Sequence, residues 1–186
     1  NREDGIQIES GFDRNLVNFK LDHKVSDRLK VGMSVRYLDQ TIKGIGTTNS
    51  GTRTTNRLRH AITYRPFELE KPGFGIDDFD EALYLASAGA TNPIILARAE
   101  YRRQYTKATY FTGYVNYNIL KNLVFRSTFG YDNANVRTDL FYNKITSTAR
   151  QYASLPVASI GEQFNNTLSN SNTLQYTLNN FKNHHD

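Results

Sequence analysis

The chain of 186 residues contains no cysteine, so neither a disulfide framework nor a thiolate metal site is open to it. It also lacks any run near the roughly 18 apolar residues that a membrane-crossing helix needs, and its mean hydropathy is -0.60. A helical membrane protein is excluded, whereas a transmembrane β-barrel is not, because barrel strands alternate and barrel loops are polar. There is no basic block either. Lys and Arg total 23 against 18 Asp and Glu, a formal charge of +5, but they are spread along the chain, with no cluster of stacking aromatics interleaved with arginine to suit nucleic acid. The opening "NREDGIQIES" has neither the charged start nor the apolar core of a signal peptide, which leaves a cytosolic chain or an internal piece of a longer polypeptide.

What is present is alternation. Val17, Phe19 and Leu21 share one parity and Asn18, Lys20, Asp22 and Lys24 the other, a period of two that only a strand displays. After Ser26-Asp27-Arg28 the pattern resumes, with Leu29, Val31, Met33, Val35 and Tyr37 opposite Lys30, Gly32, Ser34 and Arg36. A second hairpin repeats the plan around Leu120-Lys121-Asn122. Phe111, Val115, Tyr117 and Ile119 precede it; Leu123, Phe125, Phe129 and Tyr131 follow, alternating with Val124, Arg126, Thr128 and Gly130. A fifth strand is expected at about 171–181, where Leu174, Tyr176 and Leu178 alternate with Thr173, Gln175 and Thr177.

Long irregular tracts separate these hairpins. Residues 44–56 form a Gly/Thr/Asn loop, 57–68 admit a short helix ended near Pro66, and 79–88 suit two or three helical turns closed by Gly89. A third loop, rich in Asn, Ser and Thr, is expected from about 137 to 169. Short turns alternating with long loops are the rhythm of an outer-membrane barrel, and strands near the roughly 9 to 11 residues that cross the hydrocarbon fit it. The fold class expected is therefore all-β: antiparallel strands of a large transmembrane barrel, present in part, with short periplasmic turns and long extracellular loops carrying short helices. Tyr37 and Tyr131, at the loop-ward ends of their strands, suit an aromatic girdle. The alternative is a soluble, surface-exported β-sandwich for binding or adhesion, whose strands alternate because one face packs on a core.

Four stretches carry a resemblance: "FKLDHKVSDRLKVGMSVRYLDQTIKGIG", "NRLRHAITYRPF", Asn92-Pro93 and "YVNYNILKNLVFRSTFGYD". In that order they resemble part of the β-barrel of SusC/RagA-type TonB-dependent outer-membrane transporters of Bacteroidota. The resemblance implies that residues 1–186 form an internal segment of one barrel domain. Plug, TonB box and closing strand are not found in it, and five or six strands are too few to close a ring of about twenty-two. It implies an outer-membrane location and import of glycans or peptides. The partners implied are a SusD-like surface lipoprotein as lid, TonB acting through a plug, and outer-membrane lipid; no nucleic acid is expected.

No enzyme and no cofactor are expected. His184-His185-Asp186 point alternately along a strand end and read as a turn, and Asp77, Asp78, Asp80 and Glu81 lack the spacing of a calcium loop. "GIG" at 44–46 and "GFG" at 73–75 are loop glycines, since neither joins a strand to a helix with the remaining phosphate-loop spacing. His23 is placed on the outward face near a turn and His60 in a solvated loop. Lys20, Asp22, Lys24, Lys30, Arg36 and Arg126 are the candidates for a lumen- or plug-facing wall. Arg53, Arg57, Tyr64 and Tyr84, on loops, are the candidates for contact with cargo or lid.

Overall fold

A computed structural model describes residues 1–44, 56–64 and 92–178. Its six strands, β1 (Arg2–Asp4), β2 (Gly11–Lys24), β3 (Leu29–Lys43), β4 (Glu100–Leu120), β5 (Leu123–Tyr142) and β6 (Val157–Tyr176), make one sheet in sequence order. The sheet is antiparallel, mostly β with few helices, and among the described residues β1 and β6 do not pair to close it. Among the described residues three short helices accompany it: α1 (Arg57–Thr63), α2 (Pro93–Ala99) and α3 (Ser147–Arg150).

The first hairpin turns where its polar residues predict. Leu29 donates to Ser26 O while Val25 donates to Leu29 O, and the Ser26 hydroxyl accepts from the amides of Arg28 and Leu29. Each helix opens on a side chain that satisfies a backbone amide its first turn leaves unpaired: Asn56 accepts from Arg59, Asn92 from Ile94 and Thr146 from Ala149. In α2, Pro93 follows its cap directly, where a missing N–H costs nothing.

The strands are longer than expected. They run 14, 15, 21, 20 and 20 residues from β2 to β6. The expected third loop is corrected most: residues 137–142 finish β5 and 157–169 begin β6, which spans Val157–Tyr176 instead of about 171–181. Asn, Ser and Thr read as loop residues, yet a strand keeps its backbone paired along the ladder even when much of its side-chain composition is polar. The helix expected at 79–88 lies outside the described residues.

Two compact units are distinguishable: residues 1–14, 40–105 and 136–163 in the first, and 15–39, 106–135 and 164–186 in the second. The second takes ten residues of β2 and eleven of β3, within the roughly 9 to 11 a tilted strand needs to cross hydrocarbon, and 13 to 15 of each of the later strands, which exceeds it. Among the described residues of this unit the only buried hydrophobic side chain is Ala108.

The first unit has a small core of Leu96, Ala99 and Ala149, joined by buried polar groups. Arg57, at the start of α1, forms a buried two-pronged ion pair with Glu100, the first residue of β4, and its third nitrogen lies 3.3 Å from His60 Nδ1. This pair fastens α1 to the sheet. Desolvation raises the Glu100 carboxyl above the usual carboxylate range, although the Arg57 guanidinium pulls it down. Folding thus favours the protonated form, so this contribution is full below about pH 4.3 and is lost as pH rises through the raised value.

Two outcomes are expected. Glu100→Ala, by leaving the Arg57 charge buried without its carboxylate, lowers stability by about 3 to 5 kcal/mol in denaturant titration, whereas replacing both partners by Met and Leu costs far less. Wild type also loses stability relative to Glu100→Gln between pH 4 and pH 7, measured by the same titration.

Candidate functional site

On the polar face of the second unit, four strands converge on one cluster. Asp22 on β2 pairs with Lys20 at 3.2 Å and accepts a 2.6 Å hydrogen bond from the Tyr114 hydroxyl on β4. The Arg126 guanidinium, from β5, lies 5.4 Å from the centre of the Tyr114 ring. Between β2 and β4 runs β3, and the ring crosses it above Gly32. A Cβ at Gly32 would come within 2.4 Å of Tyr114 Cε1 and 2.5 Å of Asp22 Oδ1. Only glycine leaves room for this bridge.

Three of the expected wall residues, Lys20, Asp22 and Arg126, are therefore brought together. Lys30 and Arg36 share their parity and are exposed, outside the cluster. Lys24 pairs with Asp27 at the turn at 2.5 Å. Tyr114 was legible only as one more residue on the polar side; that its ring spans a strand follows from Gly32, 82 positions earlier in the sequence. All the charges sit in water, so Lys20–Asp22 adds little to stability. The cluster thus sets an exposed carboxylate, ammonium and guanidinium around one phenol, groups that can each pair with another polar surface.

The loop candidates divide. Arg53 and Tyr84 lie outside the described residues. Arg57 is turned inward onto Glu100 and only 6% exposed, so it holds the fold instead of offering its charge to a ligand. Tyr64, half-buried at the end of α1, sets its ring edge-on to His60 at 6.1 Å. His60 is fully buried, a correction to the solvated loop expected for it. Its helix packs it toward Arg57 because the two are three positions apart. The histidines 184 and 185 and the acidic run 77–81 are likewise outside the described residues. Among those described, no three His, Cys, Asp or Glu side chains gather as metal ligands.

The opposite face is apolar and uncovered. Val17, Phe19, Leu21, Met33, Val115 and Phe129 are all exposed, and β6 adds Phe164, Leu168 and Leu174, each more than 60% exposed. Phe111 and Phe129 meet across β4 and β5 with ring centres 6.2 Å apart. The tyrosines fall in two rows. Asn118 donates to Arg28 O, setting Tyr117 beside Leu29, and Thr177 donates to Asn122 O, setting Tyr176 beside Leu123. Tyr37 and Tyr131 lie eight positions further along β3 and β5, in mid-strand and not at the strand ends where they were expected.

No protein-family model matches the chain, and no curated protein matches its sequence.

The bridge makes a definite demand on β3. Gly32→Val is expected to displace Tyr114 from Asp22 and lower the thermal midpoint, while Ser34→Val, two residues on along the same face, leaves it unchanged or raises it; circular dichroism melts compare the two.

Proposed function

We propose that the chain is a stretch of transmembrane β-barrel wall, and that the barrel is a SusC/RagA-like, TonB-dependent importer of glycans or peptides in the outer membrane. One observation carries the wall reading: a broad face of large apolar side chains stands open on a unit that buries a single hydrophobic residue among those described. Soluble monomers rarely expose contiguous apolar patches beyond a few hundred Å². A sandwich would bury this face under a second sheet. Lipid accepts it without one, and strands paired along the sheet satisfy their backbone groups as hydrocarbon demands.

The tyrosine rows support the same reading. Eight residues along a strand span about 26 Å at about 3.3 Å per residue, or about 20 Å of depth at the usual tilt of about 40°, which is most of the roughly 25 Å apolar band that aromatic girdles flank in such barrels. The face is also uneven, with a depression of about 410 Å³ over Gly113 bordered by Met33, Phe111, Val115 and Phe129. Liquid acyl chains fill such irregularities. On the other side, Lys20, Asp22, Tyr114 and Arg126 would meet the plug and the import path. The cargo class and the partners, TonB and a SusD-like lipoprotein, rest on the sequence resemblance.

The chain has no tryptophan, so single tryptophans report their surroundings without background. In vesicles containing brominated lipid, Phe129→Trp is expected to emit in the blue and be strongly quenched, and Thr128→Trp, one position along, to emit in the red and be spared. Equal accessibility of both to aqueous iodide, with no lipid quenching, overturns the wall reading.

A further inference from the structure

The polar face of the second unit carries more positive charge than it uses. Lys20 is matched by Asp22 and Lys24 by Asp27, whereas Lys30, Arg36 and Arg126, all exposed, have no ion pair among the described residues. Against these three stands Asp132 of β5, an exposed carboxylate of the same parity that is likewise without an ion pair among those residues. Lys30 and Arg36 are six positions apart on β3, about 20 Å at about 3.3 Å per residue. Between them in level, and two strands away, Arg126 rests over the Tyr114 ring and spends none of its N–H groups on a carboxylate. Beside Arg126 the face changes character. The hydroxyl of Ser169 occupies the space that a Cβ at Gly130 would fill, which puts Thr167, Ser169, Ser171, Thr173 and Gln175 of β6 on this same side. All five are exposed and uncharged.

We infer that this face binds an acidic polysaccharide, with carboxylates of the sugar chain on Lys30, Arg36 and Arg126 and its hydroxyls on the β6 row. One exposed ion pair is worth little, so cations spread over about 20 Å favour a ligand that repeats its negative charge along its length. The Arg126 guanidinium can take a carboxylate through two parallel N–H groups while its flat side stays on the ring. A neutral glycan would leave the three cations unanswered. A peptide rich in aspartate and glutamate would answer them, but its side chains only accept hydrogen bonds, whereas the hydroxyls of β6 and of a sugar both donate and accept. An acidic sugar brings charge and hydroxyls on every residue, in the combination this face offers. The inference rests on the importer reading in taking the ligand for cargo, and within that reading it selects acidic glycans over neutral ones and over peptides.

The test uses the full 186-residue chain in uncharged detergent micelles and follows the fluorescence anisotropy of a labelled octamer of galacturonic acid. Saturable binding is expected, weakening as salt screens the charges, with the uncharged methyl ester of the octamer and an octamer of glutamate each at least about tenfold weaker. Replacing Lys30, Arg36 and Arg126 together by glutamine is expected to weaken binding at least about tenfold. The same replacement at Arg2, Arg98 and Lys144, three exposed cations of the first unit, removes equal charge and is expected to change it about twofold at most. Ser169→Ala with Ser171→Ala weakens the sugar about threefold and leaves the glutamate octamer unchanged. Circular dichroism melts that match wild type show that the fold is retained. No saturable binding, methyl ester or glutamate octamer bound as tightly, or equal losses from the two triple replacements overturns the inference. Because binding is read in micelles without bilayer or transport, its failure leaves the wall reading standing; failure of lipid quenching, in turn, leaves this binding result standing.

Discussion

The second unit depends on one constraint: each strand must send alternate side chains to opposite sides, and here one side is hydrocarbon with nothing of the described chain laid over it. Water makes such a face unfavourable by about 25 cal/mol for every Å² exposed, and folding of this unit does not remove that cost internally. An apolar solvent does. The same alternation places Lys20, Asp22 and Arg126 on the other side, where only water or a polar partner suits them. A sheet with one oily and one charged face suits a boundary between two solvents, and this asymmetry is what the wall proposal rests on.

The polar cluster and the apolar face are linked through β3. Gly32 is bare on the charged side, which lets the Tyr114 ring cross to Asp22 and lets Arg126 cover the ring, so side chains from β2, β4 and β5 meet over a strand that contributes none of its own. The first unit follows a different logic. Its helices are too short to be stable alone, and a buried ion pair, three capping side chains and a few small apolar residues hold them against the sheet.

Both hairpins and their turns were legible because a period of two over several residues has no other cause, and a short Ser-Asp-Arg or Leu-Lys-Asn joint forces antiparallel pairing. The outer halves of the strands were not. From Leu38 to Lys43 and from Asn133 to Tyr142 polar residues occupy both parities, so the alternation fades while the backbone ladder continues. The start of β6 hid for the same reason behind its Asn and Ser. Asn92-Pro93 carries a local signal for a helix start, an Asn cap followed by proline in the first turn, where the missing N–H costs nothing. In the sequence Arg57 looks like a loop contact, because its partner, Glu100, lies 43 residues away and no local pattern announces a pairing at that distance.

The central claim is that lipid, not protein, covers the apolar face. Flotation tests it most directly: the purified chain is mixed with phospholipid vesicles, washed at high pH to strip surface-bound protein, and centrifuged through a density gradient. The account predicts that the chain rises with the vesicles and aggregates when lipid and detergent are both withheld. A folded monomer that stays at the bottom of the gradient, and melts cooperatively in plain buffer, would contradict it.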